Sequence, residues 1–449
     1  MAMFDDDPQR PEMYRKFERD TPTWYADAKF GIFVHWGPYS VPAWAEPLGE
    51  LGTIDKPTWF AHNPYAEWYF NTIRIEGSPA REHQETVHGG APYDDFIDQW
   101  SASEFDAAAM VDLFRRCGAQ YVVPTTKHHD GVTLWDAPGT GDRNTVHRGP
   151  KRDIVAEFAD ATRAAGLKFG VYYSGGLDWH FAEFPPLVDD GPWDDQRPVD
   201  EAYNDYAFGH VSDLIDRYVP DVLWGDIEWP DAGKPDGPRS FARLLEKFYA
   251  AAPDGVVNDR WGLTHWDFRT TEYQQGREAE GEAMWENCRG VGFSFGYNQV
   301  EDASHYLDGP AAVRHLLDVV SRGGNFLLNV GPDEAGRLPD LQRACLEGVA
   351  AWMALNGHVV HASRPLPGAV AAPAETPWVR WTTTDGYANA VVDATGEVEL
   401  TVDPAVVAVA SARTVQGVAL RTSATGTGVT VTVPAGEVAG PTVVVFDLV

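Results

Sequence analysis

Between about residue 28 and residue 355, short apolar runs alternate with amphipathic segments, and this alternation constrains the fold more than any other feature. The apolar runs are rich in β-branched and aromatic residues, whereas the segments between them carry apolar residues at helical spacing. Such an alternation predicts a parallel sheet covered by helices. Roughly eight strand–helix units fit into this length, which favours a (β/α)8-like barrel, not necessarily a regular one, over an open sheet.

The elements of the predicted barrel can be assigned to particular stretches. A first strand is expected at 30–34, and no glycine-rich nucleotide-binding motif follows it, which argues against a dinucleotide-binding fold. Ser103 is expected to cap the next helix, which should end at Cys117 and Gly118. Further strands are predicted at 120–125, 167–173, 221–225, 255–258, 268–273, 283–286 and 325–330. Further helices are predicted around 154–165, 202–218, 239–251, 310–322 and 339–356.

From about residue 362 the composition changes to valine, threonine, alanine, glycine and proline. Short β-branched runs broken by glycine and proline predict a small antiparallel β-sandwich. We therefore expect a catalytic barrel over residues 1–360 and a C-terminal β-sandwich domain over 361–449, with a linker near 365–377. Trp378 and Trp381 aside, this part has few aromatic residues, so a structural role is favoured over a lectin-like one.

The charge balance excludes some classes of partner. Asp and Glu number 67 against 35 Lys and Arg, a net charge of −32, and such a surface repels nucleic acids and anionic membranes. No apolar run approaches the roughly 20 residues of a membrane helix. The acidic start of the chain, Met1–Asp7, has neither a basic stretch nor an apolar core, so no secretory signal and a cytoplasmic location are expected. The oligomeric state is left open, a homo-oligomer included.

Neither a metal nor a cofactor is expected from the sequence. Cys117, Cys288 and Cys345 are too far apart for a zinc motif or a disulfide framework, and Cys117 and Cys345 are interpreted as core residues. His128 and His129 are adjacent, and on an extended strand they would point to opposite sides and could not easily chelate one ion. Sugar hydroxyl recognition is the favoured interpretation of this pair, with buried core histidines as the alternative.

Polar residues recur where the predicted strands end, which is the catalytic face of a barrel. Ser174 lacks the motif of an activated serine nucleophile, and no cysteine has a suitable context, so carboxylates are left to carry the chemistry. Asp226 follows a buried strand between Trp224 and Trp229, as a fixed nucleophile flanked by flat apolar surfaces would. Glu272 has a longer reach, which suits an acid/base catalyst. Glu228, two residues after Asp226, is an alternative nucleophile that would face the same side if the strand continued.

Six ordered motifs resemble the α-L-fucosidases of glycoside hydrolase family 29. The resemblance runs from roughly residue 24 to residue 357. The motifs are KFGIFVHWG at 29–37, KHHDG at 127–131, GVYYS at 170–174, LWGD at 223–226, NDRW at 258–261 and NFLLNVGP at 325–332.

This resemblance implies an exo-acting retaining α-L-fucosidase, with terminal α-L-fucose on glycans as its substrate. It implies that Asp226 is the nucleophile that forms a covalent fucosyl-enzyme, and that Glu272 is the acid/base, through the matches at 266–268 and 271–273. It also implies a set of residues that contact the sugar, in which Tyr172 rather than Tyr173 depends on how a doubled tyrosine is aligned. The set is His35, Glu67, Trp68, His128, His129, Tyr172, Trp224, Arg260 and Phe295.

Two alternative functions stay open at this point. The chain could be a retaining glycosidase for a stereochemically related sugar, which a substrate panel would reveal. It could also be a catalytically inactive carbohydrate-binding protein, although binding alone requires neither Asp226 nor Glu272.

Overall fold

The computed structural model describes residues 10–188, 196–273, 283–366, 374–375, 377–402, 405–425 and 428–449. Its larger part contains eight parallel strands in one sheet. They are β1 (Phe30–Val34), β2 (Tyr121–Lys127), β3 (Lys168–Ser174), β4 (Val222–Asp226), β5 (Val256–Val257), β6 (Arg269–Glu272), β7 (Trp285–Gly290) and β8 (Asn325–Val330). They lie in the order β5-β4-β3-β2-β1-β8-β7-β6, and a parallel bridge between Asn258 and Phe268 joins β5 to β6. The sheet therefore closes into a (β/α)8-like barrel, which confirms the predicted fold class.

Eleven α-helices are found in the described residues, and the longer ones follow the barrel strands. They are α1 (Thr23–Ala28), α2 (Lys56–Ala61), α3 (Tyr69–Thr72), α4 (Pro79–Val87), α5 (Asp95–Gln99), α6 (Ala107–Arg116), α7 (Ile154–Ala164), α8 (Glu201–Tyr218), α9 (Phe241–Ala251), α10 (Gly309–Ser321) and α11 (Asp340–Asn356). Short 3-10 turns occur at Glu12–Phe17, Pro38–Ser40, Ala66–Trp68, Asp231–Gly233, Gly357–Val359 and Val409–Ser411. No helix lies between β5 and β6, whose connecting residues are all described, so the barrel is irregular.

One predicted cap is wrong. The helix expected to begin near Ser103 begins at Ala107, and the Asp106 side chain accepts a hydrogen bond from the backbone N–H of Ala109 at 3.0 Å. An aspartate N-cap satisfies a free amide and places negative charge at the positive end of the helix. The sequence offers both candidates within four residues, and the aspartate directly precedes the run of three alanines that starts the helix.

The strands are buried on both faces because the barrel interior and the helices cover them. Every residue of β1, β2 and β4 is buried, which explains the apolar run with which each of these strands begins, whereas β2 and β4 end in buried polar residues. Gly225 in β4 has a packing reason, since a Cβ there would lie 2.2 Å from the indole of Trp261. The tryptophan after β5 therefore packs directly on the strand that ends in Asp226, which couples the positions of the two loops.

The C-terminal part forms two antiparallel sheets packed face to face, as predicted. Its strands are β9 (Arg364–Pro365), β10 (Ala374–Glu375), β11 (Trp378–Thr384), β12 (Tyr387–Asp393), β13 (Gly396–Thr401), β14 (Arg413–Thr414), β15 (Thr422–Ala424), β16 (Gly428–Val433) and β17 (Thr442–Asp447). One sheet has the order β10-β11-β12-β17-β14 with β9 beside β11, and the other has the order β13-β16-β15. Most of the linker expected at 365–377 lies outside the described residues, and the domain boundary at residue 360 stays a prediction.

The sandwich packs against the barrel and is hydrogen-bonded to it. Trp378, Val391 and Val443 belong to the same apolar cluster as the barrel helices. The indole N–H of Trp352 in α11 donates to the carbonyl of Pro441 at 2.8 Å. Among the described helices, none is long and apolar enough to span a membrane.

Candidate active site

Two carboxylates lie at the carboxyl end of the barrel strands. Asp226 is the last residue of β4, and Glu272 is the last residue of β6. The carboxyl ends of parallel strands share one face of a barrel, so side chains from separate stretches of chain converge there. Arg260, which follows β5, reaches both of them.

Asp226 is buried and held by two donors. The hydroxyl of Tyr172 donates to its Oδ2 at 2.9 Å, and Nη1 of Arg260 lies 3.2 Å from its Oδ1. Burial raises the pKa of Asp226, and the nearby charge of Glu272 raises it further, whereas Arg260 and the Tyr172 hydroxyl lower it. Two donors on an otherwise desolvated carboxylate favour its ionised form, which is the form that can attack an electrophile.

Glu272 is held in the same way by a different pair of donors. The Tyr65 hydroxyl donates to its Oε1 at 2.8 Å, and Nη1 of Arg260 lies 2.9 Å from its Oε2. Because one nitrogen contacts an oxygen of Asp226 and an oxygen of Glu272, those two oxygens are at most about 6 Å apart, a limit that includes the roughly 5–5.5 Å separation of retaining glycosidases.

Glu228 does not share this site, contrary to what a continued strand would give. The chain leaves the extended conformation after Asp226, with φ of +57° at Ile227 and +67° at Glu228. The Glu228 carboxylate pairs instead with Lys234 and lies 3.5 Å from a guanidinium nitrogen of Arg197. The turn therefore separates two carboxylates that the sequence alone cannot distinguish.

The histidines of the site are neutral and close together. Burial lowers the pKa of His35 to about 3 and the pKa values of His128 and His129 well below the ordinary value. The rings of His128 and His129 are 4.0 Å apart, so the expectation that they point to opposite sides is wrong. It fails because β2 ends at Lys127 and both residues lie in the turn beyond it. Nε2 of His129 is 3.8 Å from Oδ2 of Asp226.

Glu67 is also buried. Its Oε2 accepts hydrogen bonds from the backbone N–H of Gly296 at 2.8 Å and from the Ser294 hydroxyl at 3.1 Å. Burial raises the pKa of Glu67 to about 7, and these donors oppose the shift. Glu67 thus holds the loop that carries Phe295.

Aromatic rings enclose the polar groups. Phe295 packs 4.9 Å from the ring of His35, and Tyr172 stacks on Trp224 at 5.6 Å. Trp68 contacts His129, with ring centres 5.5 Å apart. Together these rings form apolar walls beside the two carboxylates, as an ordered sugar site requires. Every site residue named from the sequence therefore lies at this end of the barrel.

The doubled tyrosine separates into two environments. The hydroxyl of Tyr172 contacts Asp226, whereas that of Tyr173 lies 3.1 Å from Nδ1 of His210 on the outer side of the strand. Successive side chains of a strand point to opposite faces, so only one of the two faces the barrel interior.

Several contributors were missed in the sequence. Tyr65 holds Glu272, Ser174 contacts His129 at 2.7 Å, and Asn329 contacts His35 at 2.7 Å. Glu286, buried in the barrel, accepts a hydrogen bond from the indole of Trp224 at 2.9 Å. Ser174 and Asn329 belong to two of the six sequence motifs, and this membership could have identified them. Tyr65 and Glu286 belong to none of these motifs.

The structure also bears on the cysteines and on possible metal ligands. Cys117, Cys288 and Cys345 are all buried free thiols, which agrees with the core role expected for Cys117 and Cys345. Across the described residues, no group of three or more histidine, cysteine, aspartate or glutamate side chains could hold a metal ion.

The sequence matches known families and proteins over most of its length. Residues 3–358 match the family model described as alpha-L-fucosidase. An alpha-L-fucosidase of Dictyostelium discoideum is 32% identical over 356 residues, which cover 77% of this chain and 73% of that protein. The tissue alpha-L-fucosidase of Homo sapiens is 32% identical over 366 residues, with 77% and 70% covered.

Solved structures extend the similarity through the C-terminal sandwich. A Thermotoga maritima alpha-L-fucosynthase in complex with alpha-L-Fuc-(1-2)-beta-L-Fuc-N3 has a TM-score of 0.89 at 40% identity, with 98% of this chain and 100% of that one covered. The Thermotoga maritima alpha-fucosidase in complex with fucose has a TM-score of 0.84 at 39% identity, with 95% and 97% covered.

Proposed function

The chain belongs to the α-L-fucosidase family, and we propose that Asp226 and Glu272 carry out its reaction, the hydrolysis of terminal α-L-fucose with retention of configuration. The observation that carries the assignment is the shared contact of both carboxylates with Nη1 of Arg260. It brings them to the separation at which one carboxylate can reach the anomeric carbon while the other reaches the leaving oxygen.

The reaction takes two displacements. Ionised Asp226 attacks the anomeric carbon, and the bond to the leaving oxygen breaks as Glu272 transfers a proton to that oxygen. The result is a fucosyl ester of Asp226. Glu272, now ionised, takes a proton from water, the water oxygen bonds to the anomeric carbon, and the ester bond to Asp226 breaks. Fucose leaves with its original configuration, and both carboxyl groups return to their starting states.

Arg260 and one tyrosine hydroxyl hold each of the two carboxylates in place. Arg260 and Tyr172 donate to Asp226 and favour the charge that a nucleophile needs. Oε1 of Glu272 accepts a hydrogen bond from the Tyr65 hydroxyl and Oε2 lies 2.9 Å from Nη1 of Arg260, so the carboxyl group is held in a fixed position beside Asp226. Glu228 is assigned no part in the reaction, because its carboxylate is occupied by Lys234 and Arg197.

We assign sugar recognition to the groups that surround the carboxylates. The nearly buried rings of Phe295, Trp224 and Trp68 are assigned as the apolar wall against which the C6 methyl and the apolar face of the sugar pack. Polar atoms of His35, His128, His129, Glu67 and Arg260 are available for the three free hydroxyls. A deoxy sugar needs this combination, since a hydroxymethyl group in place of the methyl would leave its hydroxyl unpaired against an aromatic wall.

A substrate panel tests the function. We expect release of p-nitrophenol from p-nitrophenyl α-L-fucoside, with kcat/KM about 100-fold higher than for the α-L-galactoside, which differs only by a hydroxyl on C6, because an apolar wall rejects that added hydroxyl by about 3 kcal/mol. Proton NMR of the first product should show the α-anomer. A preference for the galactoside would indicate the related-sugar enzyme, and tight binding of fucose without turnover would indicate an inactive binder.

Two further expectations stay predictions within this proposal. A cytoplasmic location is tested by fractionation of the source cells. Partners beyond the fucosylated glycan, a second copy of the chain included, are tested by light scattering at several protein concentrations.

A further inference from the structure

Three histidines face the sugar site, and the hydrogen bonds behind two of them determine where the ring proton lies. A neutral imidazole has one N–H and one bare nitrogen, so the ring can either donate to or accept from a substrate hydroxyl through the exposed nitrogen. Burial keeps His35, His128 and His129 neutral. Which hydroxyl arrangement the site accepts therefore depends on the tautomer of each ring.

Behind His129, the Ser174 hydroxyl has two neighbours and one proton. Oγ of Ser174 lies 2.9 Å from the carbonyl oxygen of Leu177 and 2.7 Å from Nδ1 of His129. A carbonyl oxygen cannot donate, so the serine proton must go to Leu177, because two bare oxygens at that distance repel each other. Oγ then has only lone pairs for His129, which requires the proton of His129 to be on Nδ1.

Behind His35, the amide of Asn329 independently places the ring proton of His35 on Nδ1. Nδ2 of Asn329 donates to the carbonyl of Phe295 at 2.7 Å, which fixes the orientation of the amide. Its Oδ1 then faces Nδ1 of His35, also at 2.7 Å. An amide oxygen only accepts, so His35 must donate from Nδ1.

We infer that Ser174 and Asn329 are positioning residues that set the tautomers of His129 and His35, so that Nε2 of each ring is a bare acceptor for a substrate hydroxyl. Nε2 of His35 and Nε2 of His129 then each accept a hydrogen bond from a substrate hydroxyl. A substrate that lacks this hydroxyl, or has it in another orientation, leaves a buried acceptor unpaired. The substrate side of this inference rests on the proposed function, whereas the tautomers do not depend on it.

His128 has the opposite arrangement. Its Nδ1 is buried and has no hydrogen-bond partner among the described residues. A buried bare nitrogen is tolerated more readily than a buried unpaired N–H, so the proton of His128 belongs on Nε2, where it can donate. The site thus combines two acceptors and one donor.

Nitrogen NMR reads the tautomers directly. Long-range 1H–15N spectra of protein labelled at the histidine rings should show Nδ1–H for His35 and His129 and Nε2–H for His128 at pH 7. The three signals are assigned by their absence from His→Gln variants at positions 35, 128 and 129. Nε2–H, or a doubly protonated ring, at His35 or His129 in the wild-type protein would overturn the inference.

Removal of the serine hydroxyl tests its positioning role. In Ser174→Ala the His129 signal should move to Nε2–H, whereas the His35 signal should stay unchanged. The matched control is Ser363→Ala, which removes another buried hydroxyl that donates to a backbone carbonyl, here Val360 at 2.6 Å, but contacts no histidine. An unchanged His129 tautomer in folded Ser174→Ala would contradict the inference. Ser174→Thr retains the hydroxyl and should retain Nδ1–H, which keeps the test decisive if the alanine variant is unstable.

Kinetics on monodeoxy fucosides test whether the tautomer of His129 affects recognition of the substrate. We expect Ser174→Ala to lower kcat/KM for the parent fucoside roughly tenfold, the size of one hydrogen bond to a buried group. For the deoxy fucoside that lacks the hydroxyl at His129, the same substitution should lower kcat/KM less than about twofold. Equal losses on the parent and on the 2-, 3- and 4-deoxy fucosides would contradict the substrate side alone. No hydrolysis of any fucoside would instead refute the proposed function, with the tautomers still measurable.

Discussion

The carboxyl end of the barrel and the core of the C-terminal sandwich bury different kinds of side chain. The barrel end buries carboxylates and several histidines, Asp226 and His129 among them, in contact with the partly buried Arg260. The apolar cluster of the sandwich is built almost entirely from valine, alanine and leucine, including the fully buried Leu400 and Val431.

This difference shows which of the two regions is selected for more than stability. Burying a charged or polar group costs several kcal/mol unless partners compensate, so aliphatic packing is the simpler way to hold a fold together. The sandwich pairs its buried Arg380 with Asp318 of α10, which fastens it to the barrel. At the barrel end, nitrogen atoms of the histidines and oxygen atoms of the carboxylates are left for a ligand. Substitutions there should change activity first, and substitutions in the sandwich should change stability first.

The largest effect is expected at Asp226. Asp226→Gly removes the nucleophile and should lower kcat roughly 10⁴-fold or more. Azide should restore turnover by entering the vacated space and should yield the β-fucosyl azide. The matched control is Glu228→Gly, which removes a carboxylate two residues away and should lower kcat less than about tenfold. Comparable losses of kcat in the two variants would contradict the assignment of the nucleophile to Asp226 rather than Glu228.

Glu272 should show a loss that depends on the leaving group. Glu272→Ala should lower kcat/KM roughly 10²- to 10⁴-fold for a fucosyl sugar, whose oxygen needs a proton, and less for p-nitrophenyl fucoside, whose oxygen leaves readily. Azide should then give the α-fucosyl azide, the opposite anomer to that from Asp226→Gly. Kinetics on both substrates and NMR of the azide product measure these effects. The same loss on both substrates would contradict the acid role.

Tyr172 should shift the pH profile. Its hydroxyl lowers the pKa of Asp226, so Tyr172→Phe raises that pKa. Asp226 must be ionised to attack, and therefore the acidic limb of kcat/KM should move to higher pH. Tyr173→Phe is the control, because its hydroxyl faces His210 and the limb should stay in place. A shift to lower pH, or equal shifts in both variants, would contradict this electrostatic role.

In the sandwich, the effect should fall on stability alone. Leu400→Ala deletes a fully buried side chain and should lower the free energy of unfolding by about 2–5 kcal/mol, with kcat of the folded enzyme unchanged. Glu399→Ala, on the exposed face of the same strand, should change it by less than about 0.5 kcal/mol. Denaturant unfolding and kinetics at low temperature test both. A lower kcat in folded Leu400→Ala would show that the sandwich contributes to the active site.

Most of the fold could be predicted from the sequence because hydrophobic patterning reports burial. The strand at 30–34 and that at 325–330 were placed at their observed ends, since each is buried throughout. The region between β5 and β7 was harder: Arg269–Glu272 is a strand without a fully buried residue, so periodicity gives little signal there. Helix starts shifted wherever two capping residues competed, as at Ser103 and Asp106.

For the site, the sequence supplied residue types and strand ends but not the directions of side chains. Motifs pointed to Asp226 and Glu272, yet only the turn at Ile227 separates Asp226 from Glu228. The close approach of His128 and His129 was not predicted because both residues lie beyond the end of β2 at Lys127, where side chains no longer alternate. Tyr65 could not be found at all, since its contact with Glu272 spans 207 positions of the chain.

Trapping the covalent intermediate tests the central claim most directly. Incubation with 2-deoxy-2-fluoro-α-L-fucosyl fluoride should inactivate the enzyme, because the C2 fluorine slows both displacements while the fluoride leaving group keeps formation of the ester faster than its hydrolysis. Peptide mass mapping should then place one fluorofucosyl group on Asp226. A label on Glu228 or Glu272, or turnover with inversion and no label, would contradict the assignment of Asp226 as the nucleophile.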